Sequence, residues 1–493
     1  NEGMIEMWTK EELEATIKER FGGYDFILVS NREPYVHEYS GKKVRCVKSI
    51  GGLTTALDPI MQACKGVWVA YGNGDADRDV VDKDSKIRVP PEDPKYNLKR
   101  VWMTKEEENG FYYGYANQSL WPLSHIAYRQ PVFDASHWEY YQKVNEKFAQ
   151  AILEEKRDKK LFVWLQDYHL SICAKIIKEK NPEAIVSLFW HIPWPNPEVF
   201  RICPQKKELL EGLLACDLLG FHLRYHCHNF LDTVSQELEA KVNREESSVT
   251  YRDHKTLVRP FPISVDAEGI SRMASTREVE ERMKILPEEI DPPYEILCLS
   301  IDRVDYTKGI LEKIRVVDRF LEKYPEYQGR FVFVQLGALS RLHIKTYKQL
   351  IDDIQSLAED VNWKYHSGYW YPIVLINRRL DYTTHLAYYR ACDLFLVGSL
   401  HDGMNLVAKE YTMANVDLKG VLVLSQFTGA ARELKDAILI NPFDTEGAAD
   451  AIFSALKMSD KERKKRVKNM QKVVQENNIY KWAGKFILQL SEL

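Results

Sequence analysis

Compact apolar runs alternate with amphipathic segments along most of the chain. The runs have the length of strands, and polar, glycine or proline residues end them, as is usual for the buried strands of a parallel sheet. They cover residues 24–30, 66–71, 160–165, 185–190, 218–222, 294–300, 331–336, 393–400 and 420–425. Segments with helical spacing, such as residues 138–153, separate many of these runs. The pattern predicts an α/β protein with doubly wound parallel sheets.

The series of strands divides into two halves at the prolines within residues 260–262. These prolines predict an interdomain hinge, and 493 residues exceed what one hydrophobic core usually holds. We expect a first domain over residues 1–265 and a second over residues 266–477. The other segments are predicted as a loop around residues 72–91, a helix running into a loop at 237–252, and a glycine turn into a helix after the last strand at 420–425.

Charge and cysteine content narrow the classes of function. The 72 acidic and 68 basic residues are mixed along the chain and give a net charge of −4, so neither nucleic acid nor a membrane is an expected partner. No apolar run reaches the ~18 residues of a membrane-spanning helix, and no export signal is recognisable. The eight cysteines are scattered, which is typical of free thiols in a reducing compartment. We expect a cytoplasmic protein that acts on small molecules.

In the first half, polar residues collect where predicted strands end. Arg32, Asp167 and His191 each follow such a strand. Because ligands bind outside the carboxyl ends of parallel strands, these side chains are candidates for a binding site, with Arg32 suited to a phosphate. Gly51 and Gly52 precede an apolar helix and would let backbone amides approach a pyrophosphate. The alternatives are a solvated surface arginine and a plain glycine turn.

Two other groups of residues have competing interpretations. Tyr112 and Trp121 lie in an aromatic segment whose simplest role is packing, although hydroxyl groups and aromatic rings also suit a sugar site. Histidines and a cysteine within residues 222–228 have the spacing of one helix face. They lack the carboxylate or cysteine partners of a zinc site, so we predict no metal there.

The second half places two cations in one strand-exit turn. Arg303 and Lys308 precede Gly309 and an amphipathic helix. Such a pair suits a diphosphate leaving group, on which negative charge develops as the bond breaks; a surface cluster of salt bridges is the alternative. Arg341 follows the next strand and is a second candidate for a phosphate, while a solvated arginine at a helix start is equally compatible with the pattern.

Residues 401–410 combine a strand end, a turn and a helix start. The turn and first helical position comprise Asp402, Gly403, Met404, Asn405 and Leu406. Backbone amides at a helix start can bind an anion, and Glu410, one turn further, can accept two hydrogen bonds from a diol such as ribose. An anion and a diol together indicate a nucleotide, whereas a plain capped helix is the alternative.

Several short motifs occur in the order seen in one known family. They are Ser30-Asn31-Arg32, Gly51-Gly52-Leu53, Leu120-Trp121-Pro122, Asp167-Tyr168-His169, His191-Ile192-Pro193, and residues 302–309 and 402–410. With this set the chain closely resembles the trehalose-6-phosphate synthases, which are retaining sugar-nucleotide glucosyltransferases. The resemblance implies a GT-B fold, in which two Rossmann-like domains with parallel sheets face an interdomain cleft and a C-terminal helix, residues 478–493, crosses back to the first domain.

The resemblance also implies the substrates, UDP-glucose and glucose 6-phosphate, without a metal or cofactor. The implied donor-binding residues are Gly51, Gly52, His191, Arg303, Lys308, Asp402, Gly403, Met404, Asn405, Leu406 and Glu410. The implied acceptor-binding residues are Arg32, Tyr112, Trp121, Asp167 and Arg341. The implied catalytic residues are Arg303, Lys308, Asp167, His191 and Asp402. By the same resemblance, Arg303 and Lys308 hold the diphosphate and Glu410 binds the ribose.

Some positions depart from the family pattern. His401 stands where the family commonly has arginine, Tyr71 stands where it commonly has tryptophan, and the segment 33–48 is longer than usual. Residues 31–35 also resemble the glucosylglycerol-phosphate synthases, whose acceptor is glycerol 3-phosphate. Alternatives to the leading activity are therefore that enzyme, a related pseudo-glycosyltransferase, and a non-catalytic regulatory protein that binds sugar phosphate. The regulatory alternative is disfavoured because the implied cations and acids are all present.

Two expectations concern other proteins. The sequence contains no Asp-x-Asp-Gly-Thr block, so removal of the product phosphate is expected to need a separate trehalose-6-phosphate phosphatase. Self-association into a homo-oligomer is compatible with the sequence.

Overall fold

The structure, a computed structural model, describes residues 8–49, 52–378 and 380–492. The chain forms two compact units. Unit 1 is Asn1–Ile263 together with Ile479–Leu493, and unit 2 is Ser264–Asn478. Within the described residues, no helix is both long and apolar enough to cross a membrane.

The core of unit 1 is a sheet formed, among its described residues, by ten strands in the order β10-β11-β12-β9-β8-β7-β1-β4-β6-β5. The strands of the unit are β1 (Tyr24–Arg32), β2 (Tyr35–Ser40), β3 (Lys43–Lys48), β4 (Val67–Tyr71), β5 (Lys86–Val89), β6 (Tyr96–Val101), β7 (Lys160–Gln166), β8 (Ile185–Phe189), β9 (Leu218–Phe221), β10 (Lys241–Asn243), β11 (Ser248–Tyr251) and β12 (His254–Pro260). The central pairs are parallel, whereas β5, β10 and β11 pair antiparallel at the two edges. The remaining strands, β2 and β3, form a separate hairpin.

Helices connect these strands, as the hydrophobic pattern predicts. They are α1 (Lys10–Phe21), α2 (Gly52–Cys64), α3 (Lys105–Glu108), α4 (Trp121–Ser124), α5 (Ala135–Leu153), α6 (Cys173–Lys180), α7 (Pro197–Phe200), α8 (Lys206–Leu213) and α9 (Arg224–Glu237), with a π-helix at Asn109–Leu120. Thr9 and Glu12 form a capping box at the start of α1, because each side chain accepts a hydrogen bond from the other residue's backbone N–H.

Unit 2 has an all-parallel sheet, which among the described residues contains six strands in the order β15-β14-β13-β16-β17-β18. The strands are β13 (Ile296–Arg303), β14 (Phe331–Ala338), β15 (Ile373–Ile376), β16 (Leu394–Val397), β17 (Val421–Ser425) and β18 (Ile438–Ile440). The helices are α10 (Ala267–Ala274), α11 (Arg277–Glu289), α12 (Ile310–Lys323), α13 (Lys345–Tyr365), α14 (Tyr382–Ala391), α15 (Leu406–Ala414), α16 (Thr445–Lys457) and α17 (Asp460–Glu476).

The last helix, α18 (Ile479–Ser491), belongs to unit 1. Its Trp482 and Phe486 stack on Trp164 of β7, with ring centroids 5.0 and 4.6 Å away. Trp482 is 3% exposed, and its indole N–H donates to the Phe261 carbonyl oxygen at 3.0 Å. The apolar face of this helix therefore completes the core beside the central strands of unit 1.

The structure corrects three local predictions. The segment 72–91 contains β5, the segment 237–252 contains β10 and β11, and β17 leads through a 3-10 turn at Gly429–Arg432 to another strand, β18, rather than into a helix. These strands are only three or four residues long; β5, β10 and β11 carry mixed polar and apolar side chains, and β18 has three apolar ones. Strands this short, at or next to a sheet edge, lack the long apolar run by which a buried strand is recognised.

Candidate functional site

In unit 1, Arg32, Asp167 and His191 lie at the carboxyl ends of β1, β7 and β8, which are successive strands of the sheet. Asp167 follows β7 with a backbone φ of 75°, an uncommon conformation for a residue other than glycine. Its backbone N–H donates to the Phe189 carbonyl oxygen at 2.7 Å. Its Oδ1 accepts from the backbone N–H groups of Tyr168 and His191, both at 3.0 Å. The carboxylate is thus fixed between two adjacent strand ends.

His191, at the end of β8, is held as a neutral imidazole. Its Nε2 lies 2.7 Å from Oε1 of Gln166, and because that oxygen can only accept, Nε2 carries the proton. Burial lowers the pKa of His191 well below its ordinary value, and His222 and His169 lower it further. A neutral ring with this tautomer presents Nδ1 as a hydrogen-bond acceptor, which suits a sugar hydroxyl.

The predicted acceptor-side residues of unit 1 lie in one aromatic cluster. Arg32 Nη2 donates to the Tyr112 hydroxyl at 3.3 Å, and the Tyr112 ring stacks on His169 at 5.8 Å and 13°. Trp121, buried in α4, contacts the Tyr168 ring at 5.9 Å. The structure therefore brings Arg32, Tyr112 and Trp121 to the same strand ends as Asp167.

The glycine pair is only partly described. Gly51 lies outside the described residues. Gly52 begins α2 with φ 61°, a left-handed conformation that glycine adopts without the cost a side chain would add.

In unit 2 the turns after β13 and β16 meet. The Lys308 ammonium contacts the Asp402 carboxylate, and the two side chains are 17% and 15% exposed. The backbone of Leu400 donates to the Thr307 carbonyl oxygen at 2.8 Å. Gly309, with φ 60°, passes so near Gly398 that a Cβ at position 309 would lie 2.2 Å from its carbonyl oxygen. Glycine at this position allows the two turns to approach closely.

The turn before α15 is organised around Asp402 and Asn405. Asn405 has φ 86°, caps α15 by accepting from the Ala408 backbone N–H at 3.0 Å, and donates from Nδ2 to Asp402 Oδ2 at 3.1 Å. The Met404 carbonyl oxygen accepts from the Ala430 backbone N–H at 2.8 Å. The helix begins at Leu406, as predicted, so Gly403 and the following residues form its N-terminal approach.

Glu410 lies one turn into α15 and is 5% exposed. Burial raises its pKa to about 7, although a hydrogen bond from the Tyr389 hydroxyl, at 3.3 Å, acts in the opposite direction. His401 lies before the same turn, and burial lowers its pKa to about 4. A neutral His401 adds no positive charge to this turn, in which the Lys308 ammonium contacts the Asp402 carboxylate.

Arg303 and Arg341 are brought together by Asp305. Asp305 Oδ2 lies 2.7 Å from Arg341 Nη1 and 3.6 Å from Arg303 Nη2, and it also accepts from the Tyr347 hydroxyl at 3.0 Å. The side chain of Arg341 is 2% exposed and that of Arg303 is 29% exposed. Arg341 therefore lies in unit 2 beside Arg303, whereas the other residues of the predicted acceptor set lie in unit 1.

Sequence reasoning missed three residues that hold this site together. Asp305, a fully buried acid between two arginines, lies inside the turn that was recognised for its cations. An acid flanked by two cations in a strand-exit turn was a signal for it. Gln166 orients His191 from the preceding strand, and Tyr389 reaches Glu410 from α14. Neither has a local sequence signal, because each acts across 20 or more positions of the chain.

Comparison with known proteins gives one consistent family. The profile of glycosyltransferase family 20 matches residues 24–492. A trehalose-6-phosphate synthase of Mycobacterium avium is 34% identical over 481 residues, covering 96% of each protein. A bifunctional trehalose-6-phosphate synthase/phosphatase of Thermoproteus tenax is 36% identical over 475 residues, which are 94% of this chain. The chain spans 63% of the length of that bifunctional relative.

Solved structures give the same result. An E. coli structure bound with UDP-2-fluoro glucose has a TM-score of 0.82 and 29% identity, covering 95% of this chain and 99% of that one. A UDP-forming α,α-trehalose-phosphate synthase from Burkholderia xenovorans, in complex with glucose 6-phosphate, has a TM-score of 0.83 and 28% identity. The match covers 94% of this chain and 99% of that one. These similarities confirm the predicted GT-B fold class.

Proposed function

The chain belongs to glycosyltransferase family 20, and from that premise we propose that it transfers glucose from UDP-glucose to glucose 6-phosphate, forming α,α-trehalose 6-phosphate and UDP. The observation that supports this activity most directly is the group at the strand ends of unit 2, where Lys308, Asp402 and the start of α15 come together. Cations, a helix N-terminus and a buried acid one turn later are the groups that a nucleotide diphosphate sugar requires.

On the donor side, we assign the diphosphate to Arg303 and Lys308 and the ribose diol to Glu410. Asp402 and the backbone amides of the turn that follows it hold hydroxyl groups of the glucose. His191, a neutral acceptor at Nδ1, receives the 6-hydroxyl of the same glucose. Gly52 allows the start of α2 to approach the diphosphate.

On the acceptor side, we assign the phosphate of glucose 6-phosphate to Arg32 and Arg341, with Tyr112 and Trp121 against the sugar. Arg32 has the guanidinium geometry that binds phosphate oxygens in pairs. The hydrogen bond between Arg32 and the Tyr112 hydroxyl orients both groups before substrate arrives. Asp167 faces the reacting hydroxyl groups from its fixed position after β7.

We propose that transfer proceeds with retention on one face of the glucose. The bond between the anomeric carbon and the UDP oxygen breaks, the acceptor hydroxyl oxygen bonds to the same carbon, and the departing phosphate oxygen takes the hydroxyl proton. Negative charge grows on the leaving diphosphate during this step. Arg303 and Lys308 stabilise that charge, so a carboxylate nucleophile is not needed.

We also place the reaction in the cytoplasm. All eight cysteines are free thiols, and six of them are buried. A reducing compartment maintains thiols in this state.

The decisive test incubates the protein with UDP-glucose and, separately, glucose 6-phosphate, glycerol 3-phosphate, fructose 6-phosphate or unphosphorylated glucose. UDP release is followed, and the product is identified by mass and by glycosidic linkage. A reaction without acceptor measures hydrolysis of the donor. We expect an α,α-1,1-linked disaccharide phosphate from glucose 6-phosphate. Faster turnover with glycerol 3-phosphate would contradict the proposed acceptor, and the absence of turnover with every acceptor would contradict a catalytic role.

A further inference from the structure

The hydrogen-bonding capacity of Asp305 is filled by groups that include Arg341, while Arg303 stays beyond hydrogen-bond distance. Its Oδ1 accepts from the backbone N–H and the hydroxyl of Thr307, at 3.0 and 2.9 Å. Its Oδ2 accepts from Arg341 Nη1 at 2.7 Å and from the Tyr347 hydroxyl at 3.0 Å. These four hydrogen bonds match the four acceptor positions of a carboxylate. Arg303 Nη2, at 3.6 Å, is outside hydrogen-bond distance from Oδ2.

The fold determines that Arg341 lies closer to Asp305 than Arg303 does. The parallel register of β13 and β14 sets Arg303 opposite Ala338, so the turns after both strands lie side by side. The Ser340 hydroxyl donates to the Val304 carbonyl oxygen at 3.3 Å, and Arg341 itself has a left-handed φ of 56°. The Tyr347 hydroxyl accepts from Arg341 Nη1 at 2.5 Å and donates to Asp305. Burial raises the pKa of this phenol, with Asp305 as a further cause, so it stays protonated and able to donate.

We propose that Arg341 is a positioning residue for the donor site. It donates a hydrogen bond to Asp305 and thereby keeps Arg303, whose Nη2 is already 3.6 Å from the same oxygen, from closing into a hydrogen-bonded ion pair with that carboxylate. Without the Arg341 guanidinium, Oδ2 would have an open acceptor position within about 1 Å of normal hydrogen-bond reach of Arg303. Arg303 would then move toward Asp305, and its charge would be lost to the diphosphate. This role is additional to acceptor binding, and it rests on the proposed function for the identity of the ligand.

The test measures UDP binding in the absence of any acceptor, by titration calorimetry on the full chain. Arg341→Met keeps the length of the apolar stem and removes the guanidinium. We expect the Kd for UDP to rise about tenfold, as for the loss of one charged contact to the diphosphate. A role of Arg341 confined to the acceptor predicts an unchanged Kd, and that result would overturn the proposal.

The double variant Asp305→Asn with Arg341→Met supplies the second measurement. It removes both charges of the pair, so no uncompensated carboxylate remains to draw Arg303 away. We expect the Kd for UDP to return to within about threefold of the wild type. If the double variant binds UDP no better than Arg341→Met alone, Asp305 is not the cause and the proposal is wrong. If Arg341→Met does not fold, a Kd in the double variant about tenfold above that of the wild type would also overturn the proposal.

Arg390→Met is the matched control. Arg390 also belongs to unit 2, is 8% exposed at its side chain, and pairs with Asp417 through two hydrogen bonds of 2.9 and 3.0 Å. Its loss is expected to lower thermal stability and leave the Kd for UDP unchanged. If the Kd for UDP rose equally in this variant, the effect of Arg341→Met would be explained by general destabilisation. Failure of the wild type to bind UDP would instead contradict the proposed function, so the two failures are distinguishable.

Discussion

Lys308 and Asp402 form an ion pair between residues 94 positions apart in the chain. The contact exists because β13 and β16 are neighbours in the sheet of unit 2, so the turns at their carboxyl ends meet. Asn405 donates to the same Asp402 oxygen, which ties the pair to the cap of α15. The position of the cation is therefore set by two turns and a helix start.

Loss of the Lys308 charge should reduce turnover strongly. We expect Lys308→Ala to lower kcat about 10²-fold or more, because the cation stabilises charge that develops on the leaving diphosphate. The measurement is UDP release at saturating UDP-glucose and glucose 6-phosphate. Lys364→Ala is the control, since Lys364 forms a more exposed ion pair with Asp318 in the same unit and should change kcat less than about twofold. Near-wild-type release by Lys308→Ala would contradict the diphosphate assignment.

Glu410 should make UDP affinity depend on pH. Its pKa is raised to about 7, and the ionised carboxylate is the form that accepts two hydrogen bonds from a diol, so affinity should increase as pH rises from about 6 to 8. Glu410→Gln should bind UDP more weakly at the upper end of this range and should lack this part of the pH dependence. Because UDP is the ligand for both proteins, ionisation of its phosphate groups contributes equally to the two pH profiles. Identical pH profiles for the two proteins would contradict the ribose assignment.

The same carboxyl group has an opposite effect on the stability of the free protein. Because burial raises its pKa from 4.5, the group contributes fully to the free energy of unfolding below about pH 4.5, and this contribution is lost as pH rises through about 7. Glu410→Gln should therefore gain stability relative to wild type as pH rises through this window in thermal unfolding. The gain should shrink when saturating UDP is present.

Arg32 should determine whether the enzyme requires a phosphorylated acceptor. We expect Arg32→Ala to raise the KM for glucose 6-phosphate by about tenfold or more, with a smaller effect on turnover of unphosphorylated glucose, because the lost interaction is with the phosphate. Tyr112→Phe separates orientation from charge, since it removes the hydroxyl to which Arg32 donates and keeps the stacked ring. The rise in KM for glucose 6-phosphate should be smaller for Tyr112→Phe than for Arg32→Ala. Equal losses with both acceptors for Arg32→Ala would contradict the phosphate assignment.

Much of the architecture was predictable because it follows from local patterns. The start of α15 at Leu406 follows from an apolar run, a turn and a helical period, and the capping box at Thr9 follows from residue spacing alone. The polar residues at the ends of β1, β7 and β8 could be assigned to one sheet edge because parallel strands place their carboxyl ends together.

The features of the site that could not be predicted depend on which strands and helices are neighbours in the fold. The pattern around Arg341 fits a solvated arginine or a phosphate ligand, and its burial against Asp305 requires the specific pairing of β14 with β13. Likewise, the protonated Nε2 of His191 follows from Gln166 on the adjacent strand, and the raised pKa of Glu410 follows from its burial in the fold. Local composition contains no information on such tertiary contacts.

Trp482 should hold α18 in the core of unit 1. We expect Trp482→Ala to reduce the free energy of unfolding by about 3–5 kcal/mol, because it empties a buried position against Trp164 and removes the donor to the Phe261 carbonyl oxygen. Urea unfolding followed by tryptophan fluorescence measures this, since Trp363 and Trp370 are the only two of the 11 tryptophans that lie in unit 2. Lys485→Ala, at an exposed position of the same helix, should change stability by less than about 0.5 kcal/mol. If the two variants lost equal stability, helix propensity rather than packing would account for the role of α18.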